Sequence, residues 1–366
     1  DYDDDGRIDL LVLRGGWMQN LGGIRNSLLH NEGTGRFVDV THKAGLAEPA
    51  QPTQTGAWAD YDGDGDLDLF VGNEGEKRGA RMHLFADNLF RNEGDGSFVD
   101  VAATEGLVDG GYAKGSAWGD YDADGDPDLY VSNIGPNRLY RNDTDGFTDV
   151  APLLEVTEPA ERSFATWFFD HDNDGDLDLF VVSYLARVED VAADLMGQAT
   201  PAALWPHLYR NDDGRFTNVT QSAGLNHPSL PMGANFGDID EDGFLDIYLG
   251  TGSPSFESQM PNVMYRNRGD GSFEDVTYAA GFGHLQKGHG ISFADFDHDG
   301  DTDVALQAGG MYPGDRFRNA LFENPGHGRR FLSVKAVGST SNKAAVGTRI
   351  HVRVATAQGE RSIYRW

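Results

Sequence analysis

The chain contains no cysteine among its 366 residues, which excludes disulfides and thiolate metal sites. Basic side chains are also scarce: 29 Lys and Arg stand against 59 Asp and Glu, for a net charge of −30. Such a balance disfavours nucleic-acid phosphates and anionic membrane surfaces as partners. No apolar run approaches the roughly 18 residues that would cross a bilayer. The eleven His residues form no His-x-x-x-His and no Ser/His/Asp arrangement, so no catalytic set is visible. His171 and His298 fall at non-ligand positions of Asp-rich loops and are expected to be exposed turn residues. No targeting signal is present, and because the chain opens on the first Asp of such a loop, a strand preceding Asp1 is expected to lie outside it.

What the chain has in abundance is one pattern, Asp-x-Asp-x-Asp-Gly-x-x-Asp, repeated six times from Asp1, Asp60, Asp120, Asp170, Asp238 and Asp295. Carboxylates at positions 1, 3 and 5, a turn-forming Gly at 6 and a main-chain carbonyl at 7 are how a flexible loop gathers hard oxygen ligands around Ca²⁺. With Asp at position 9, the candidate ligand sets are Asp1, Asp3, Asp5, Arg7 and Asp9; Asp60, Asp62, Asp64, Asp66 and Asp68; Asp120, Asp122, Asp124, Asp126 and Asp128. The later three are Asp170, Asp172, Asp174, Asp176 and Asp178; Asp238, Asp240, Asp242, Phe244 and Asp246; Asp295, Asp297, Asp299, Asp301 and Asp303. Position 7 varies from Arg7 to Phe244, which only a backbone ligand tolerates. At position 12, where an EF-hand keeps a bidentate Glu, stand Val12, Val71, Val131, Val181, Leu249 and Leu306, so an apolar strand follows instead. Mg²⁺ prefers a stricter octahedron, and Zn²⁺ prefers Cys or clustered His, so about six Ca²⁺ are expected. Six such ions would bring twelve positive charges to the net −30 and leave the chain at −18. Loops of modest affinity suit a compartment with millimolar calcium, which places the protein outside the cytosol.

Around each loop the same cassette returns. An aromatic stands two residues ahead of the loop, at Trp58, Trp118, Phe168, Phe236 and Phe293, in a strand that enters it. A Leu/Val strand follows, then an Asn-x-Leu-Tyr-Arg-Asn type strand, a Gly/Asp turn and Phe-x-Asp-Val, as in Asn88 to Val101, Asn137 to Val150, His207 to Thr220 and Asn262 to Thr277. Four short antiparallel strands per repeat, in a chain with 48 Gly, are the signature of β-propeller blades. The aromatics are expected to fill core space. Antiparallel alternation puts the calcium loops and Gly/Asp turns at one end of the blades and the connections after the Leu/Val strand at the other. Those connections vary most, from Asp128 to Asn137 at the short end to Asp178 to His207 at the long end.

These units resemble the FG-GAP or VCBS repeats of integrin-type calcium-bearing propellers. The run Phe331-Leu332-Ser333-Val334-Lys335-Ala336-Val337-Gly338 through Ile350 is similar to the opening of an ASPIC/UnbV domain. Together they resemble the cartilage acidic protein 1-like family, which implies an extracellular, cell-surface or periplasmic setting and a seven-bladed propeller, with six blades as the alternative. The expected domains are a propeller over 1–330 and the truncated start of an ASPIC/UnbV-like β domain over 331–366. Pro127 and Thr302 depart from the usual aliphatic residue at loop position 8.

The expected function is a calcium-stabilised, non-catalytic scaffold binding a protein or glycan partner, as in cell adhesion. The alternative is a calcium-dependent polysaccharide-active enzyme of lyase type, which would need converging Lys, Tyr, His or Arg. Arg268-Gly269-Asp270 spells an integrin-recognition tripeptide but falls where sister repeats have turn residues, so a turn is expected. The partner face is expected to include the connection from Ser183 to Pro206, with a short helix over Glu189 to Met196, a Gly197 stop, and Arg187 or Trp205 as anchor.

Overall fold

The second strand of each repeat has apolar residues on both faces, which only a strand buried on both sides tolerates. The computed structural model, which describes residues 1–366 except 79–80, 108–109, 254–259, 286, 310–316, 327, 329–330 and 357–358, shows this directly. Asp68–Asn73, Asp128–Asn133, Asp178–Ser183 and Asp246–Thr251 are buried at every position. Each pairs antiparallel with the strand before its Asp loop. The loop is the connection, opening just after the pairs Ala59↔Asp68, Gly119↔Asp128, Phe169↔Asp178 and Gly237↔Asp246.

The sheets form the blades of an all-β propeller. Blade 1 comprises Leu10–Val12, Ser27–Asn31 and Phe37–Asp39. Blade 2 comprises Thr53–Ala59, Asp68–Asn73, Asn88–Asn92 and Phe98–Asp100. Blade 3 has Ala113–Gly119, Asp128–Asn133, Arg138–Asp143 and Gly146–Asp149. Blade 4 has Ser163–Phe169, Asp178–Ser183, His207–Asp212 and Arg215–Asn218. Blade 5 has Pro231–Gly237, Asp246–Thr251, Val263–Asn267 and Phe273–Asp275. Blade 6 has Gly288–Ala294, Asp303–Ala308 and Ala320–Phe322. Among the described residues there are thus six blades. The seven-blade expectation taken from the family resemblance is corrected: one sheet forms per Asp loop, and the chain carries six loops.

By contact density the chain divides into two units. The first holds Asp1–Ala160 with Lys335–Arg349 and Trp366, the second Glu161–Val334 with Ile350–Arg365. In the first unit, the core between blades 1 and 2 gathers Leu28, Leu69, Val71 and Phe98, and that between blades 2 and 3 gathers Phe70, Leu89, Leu129 and Phe147. The second unit's larger core joins blades 4 and 5 through Trp167, Phe180, Leu208, Ile247 and Tyr265. Of the entering aromatics, Phe168 is buried and the others are half-buried. Trp118 also donates its indole N–H to the Ala57 carbonyl of blade 2 at 3.2 Å.

A turn between consecutive blades needs glycine. Gly45 has φ +79°, and a Cβ there would meet the Phe98 carbonyl oxygen at 2.7 Å, because blade 2's last strand bonds back onto the turn through Phe98 N–H to Ala44 O, 2.9 Å. Residues Ile350–Thr356 and Gly359–Arg365 form a separate hairpin. The expected domain boundary at residue 330 lies outside the described residues.

Candidate functional site

Each Asp loop is built by its own backbone. Position 4 is left-handed in every loop, with φ from +55° at Asp4 to +71° at Gly63, and position 6 is always a left-handed Gly. This tight path turns the Gly N–H toward the first carboxylate, as in Gly65 to Asp60 Oδ2, 3.1 Å, Gly125 to Asp120, 3.1 Å, and Gly243 to Asp238, 2.8 Å. The position-7 N–H donates to the carboxylate at position 5, from Arg7 to Asp5 through Asp301 to Asp299.

In the first three loops, three carboxylates then converge. Oxygens of Asp60, Asp62 and Asp68 lie within 4.8 Å of one another, as do those of Asp120, Asp122 and Asp128, and those of Asp1, Asp3 and Asp9. Asp60 Oδ1, Asp122 Oδ1 and Asp172 Oδ1 are buried without a hydrogen-bond partner. A buried anionic oxygen without a donor is costly. The carboxylates respond accordingly: burial pushes Asp68, Asp128 and Asp246 up to about 8, Asp170 to about 7 and Asp238 to about 6. In Asp62 and Asp122, burial first and the neighbouring position-5 carboxylate second raise the pKa. A hard divalent cation would supply the missing charge and contacts, so this donor set fits Ca²⁺. Positions 1, 3, 5 and 9 would hold it.

The position-7 side chains turn instead to the Gly/Asp turn of the same blade. Arg7 Nε donates to Asn31 O at 2.6 Å, and Asp176 Oδ2 accepts the Asp213 N–H at 2.9 Å. A Cβ on Gly269 would meet the Phe244 ring at 2.6 Å. Loop and turn therefore share one end of each blade. Arg268-Gly269-Asp270 lies in such a turn, between Val263–Asn267 and Phe273–Asp275.

Position 9 does more than face the cluster. In all six loops one oxygen accepts the position-2 N–H and the other accepts the N–H of an Asn at or just past the end of the strand that follows the Leu/Val strand. For Asp128 these are Tyr121, 3.0 Å, and Asn142, 2.9 Å; the pattern repeats at Asp9, Asp68, Asp178, Asp246 and Asp303. That Asn was read only as strand sequence, and its role is larger. Its side-chain amide donates to the position-2 carbonyl of the preceding blade: Asn92 to Tyr2, 2.8 Å; Asn142 to Tyr61, 2.7 Å; Asn267 to His171, 2.7 Å; Asn324 to Ile239, 2.8 Å. The signal is its recurrence just after the Leu-Tyr-Arg type segment of each repeat.

Position 2 is the other feature that spacing did not show. Tyr2, Tyr61, Tyr121 and His171 are buried; Tyr2 lies 6.0 Å from Phe98 of the next blade, and Tyr61 lies 5.7 Å from Phe147. His171 is thus not the exposed turn residue expected from its place in the loop: it is 2% exposed, stacks near Phe273 and bonds Asp178 Oδ2 through Nδ1 at 2.5 Å. Burial opposes its charge, but the Asp178 bond and charge outweigh that and raise its pKa. His298 is exposed, at φ +64°.

The C-terminal residues lie on loops of their own units. Lys343 N–H donates to Asp4 Oδ1 at 3.1 Å in the first unit. In the second, Arg365 approaches Asp238 Oδ2 to 3.7 Å and Gly243 O to 3.3 Å.

At the opposite end of blade 4, the long connection forms the helix Val188–Leu195, whose Gly197 is left-handed at φ +75°. Arg187, at its N-terminus, is exposed beside a cavity of about 560 Å³ lined also by Glu161, Arg162, Tyr184, Leu230 and Ser253. Trp205 is half-buried against the blade core and donates to Thr200 Oγ1 at 2.9 Å, so of the two expected anchors only Arg187 stands open to a partner.

Six antiparallel blades, each opened by an Asp loop, define a repeat propeller, and the chain belongs to the FG-GAP-like repeat family, which matches residues 1–71, 80–131, 120–181, 191–249 and 255–306. It is 30% identical over 200 residues to cartilage acidic protein 1 of Homo sapiens, covering 51% of this chain and 28% of that protein. To the Xenopus tropicalis protein of the same name it is 35% identical over 114 residues, covering 28% and 17% respectively. The chain therefore spans less than a third of the length of these curated relatives. Among solved structures it is similar to an Agrocybe aegerita lectin described as recognising non-reducing terminal N-acetylglucosamine, with 13% identity, 87% of this chain and 80% of that chain covered, and a TM-score of 0.45. A nidogen/laminin complex gives 10% identity, 82% and 85% coverage, and a TM-score of 0.41. At TM-scores below 0.5 neither likeness bears on the fold, which rests on the sheets themselves. No helix among the described residues is long and apolar enough to cross a membrane.

Proposed function

We propose that the chain is a calcium-loaded scaffold acting outside the cytosol, without catalysis, that holds a protein or glycan partner as in adhesion. The observation that carries the calcium reading is the set of buried, unpartnered oxygens on Asp60, Asp122 and Asp172 within converging carboxylates. A calcium ion bound there neutralises the cluster; the loop backbone orients the carboxylates, and the position-9 Asp transmits their placement to two strands. The partner reading is supported by the open Arg187 and the cavity beside it, on a connection that closing a blade does not require. Residues 331–366 are, in this reading, the start of an ASPIC/UnbV-like β domain.

Metal counting by native mass spectrometry tests the loops. The calcium-saturated chain is expected to carry six ions, Asp64→Ala five, and Phe244→Ala six, because the latter side chain faces the turn. Equal loss in both variants refutes the ligand assignment.

A further inference from the structure

We propose that loop 1 is a mixed imidazole–carboxylate site for a borderline transition-metal ion of the Zn²⁺ class, with His30 as its nitrogen ligand beside Asp3 and Asp9. The inference rests on the reading of the Asp loops as cation sites and distinguishes one of them from the rest. His30 Nδ1 lies 3.4 Å from Asp3 Oδ2 and 3.3 Å from Asp9 Oδ1, and its Nε2 lies 3.8 Å from Asp5 Oδ2. Nδ1 is buried and has no hydrogen-bond partner. Donor atoms of Asp3, Asp5 and His30 fall within 4.8 Å of one another, as do those of Asp1, Asp3 and Asp9.

The donor type decides the ion. Ca²⁺ takes oxygen ligands alone, whereas imidazole nitrogen with carboxylate suits Zn²⁺ and its neighbours. Ligands about 2.0 to 2.1 Å from a tetrahedral Zn²⁺ stand roughly 3.3 to 3.4 Å apart, which matches the spacing of Nδ1 from the two carboxylates. The other blades cannot do this. In place of His30 they have Arg91, Arg141, Arg210, Arg266 and Glu323. A guanidinium offers no lone pair, and these four pair with Glu93, Asp143, Asp212 and Glu274 outside the loops, Arg266 also coming within 4.0 Å of Asp240 in its own loop. Loop 1 is also the one whose position-5 carboxylate, Asp5, is paired with Arg7 of its own loop. With that carboxylate engaged and one nitrogen offered, the donor set moves away from calcium and toward a smaller ion that accepts imidazole. Binding requires the neutral imidazole, so any proton on His30 is released as the metal enters.

The test loads the full chain with micromolar Zn²⁺ in millimolar Ca²⁺, removes unbound zinc by dialysis, and counts both metals. Wild type is expected to retain one more zinc than His30→Arg, which installs the sister-blade residue, and one more than His30→Gln. The converse variant Arg141→His is expected to gain a zinc at loop 3. Equal zinc in wild type and both His30 variants overturns the proposal, and so does wild type retaining none. The calcium count separates the two readings: no calcium with His30-dependent zinc defeats the calcium reading alone, while bound calcium with His30-independent zinc defeats this one alone.

Discussion

At the loop end, blade after blade repeats the same bonds: position 6 to position 1, position 7 to position 5, and position 9 to two backbone N–H groups. At the opposite end, blade 3 passes from Asn133 to Arg138 in a short turn, blade 2 inserts the hairpin Gly75–Arg78 and Arg81–Leu84, and blade 4 inserts a helix. The loop end is held by charge and by buried hydrogen bonds, where one changed donor leaves an acceptor stranded. The other end has only to return the chain to the third strand. Variation therefore accumulates where it costs little, and that is where a partner can be accommodated without disturbing the blades.

The largest expected break in this contrast comes from stripping the loop end of the calcium proposed for it. One ion at 100 times its Kd stabilises by about 2.7 kcal/mol, so excess EGTA is expected to lower the thermal midpoint by many degrees through several sites together. An unchanged midpoint would end the structural role of calcium. The stripped protein should also show an inverted pH response. Asp68, Asp128 and Asp246 are raised to about 8 by burial, while unfolded Asp sits near 4. Between these values the folded state binds more protons, so chelated protein loses stability as pH rises from about 4 to about 8, and calcium abolishes that slope. Chemical denaturation across this range with and without EGTA reads it.

Asn142→Ala sharpens the comparison at the junction of two blades. It strands the Tyr61 carbonyl and is expected to cost about 1 to 3 kcal/mol in urea melts, with the calcium count intact. A cost within ±0.5 kcal/mol, usual for exposed surface substitutions, would deny the clasp. The smallest stability effect is expected at the variable end. Replacing Ser183 to Pro206 by the Ser132 to Pro136 connection should leave the melt and metal content nearly unchanged while weakening a glycan or protein ligand first identified by array or pull-down. Unchanged affinity for that ligand would remove this end from recognition.

Much of this was legible in the sequence. Six Asp loops, strand order, the shared end of loops and turns, and the helix with its Gly197 stop all follow from local chemistry. What was not legible lies between blades. A recurring Asn reads as strand ending until Asn92 is seen reaching the Tyr2 carbonyl 90 residues away. His171 reads as a loop residue until Phe273 covers it. Trp205 reads as an anchor until its ring is found against the blade core. Periodicity reports which face of one strand is buried and is silent about which neighbour buries it. Of the two blade numbers carried from the resemblance, the sheets match the six-blade alternative rather than seven.

Within each unit, the asparagine clasp couples consecutive blades. Each clasp grips a carbonyl inside the previous loop, one residue past its first carboxylate, and its own backbone N–H is held by the last carboxylate of its own loop. On the calcium reading, an ion entering one loop would stiffen the anchorage of the next blade before that blade's own site is filled. In a nearest-neighbour chain of this kind, occupancy would propagate: filling would be steeper than for independent sites, and damage at one loop would spread to its successor first. The direction is built in, because the grip always runs from a later blade back to an earlier loop.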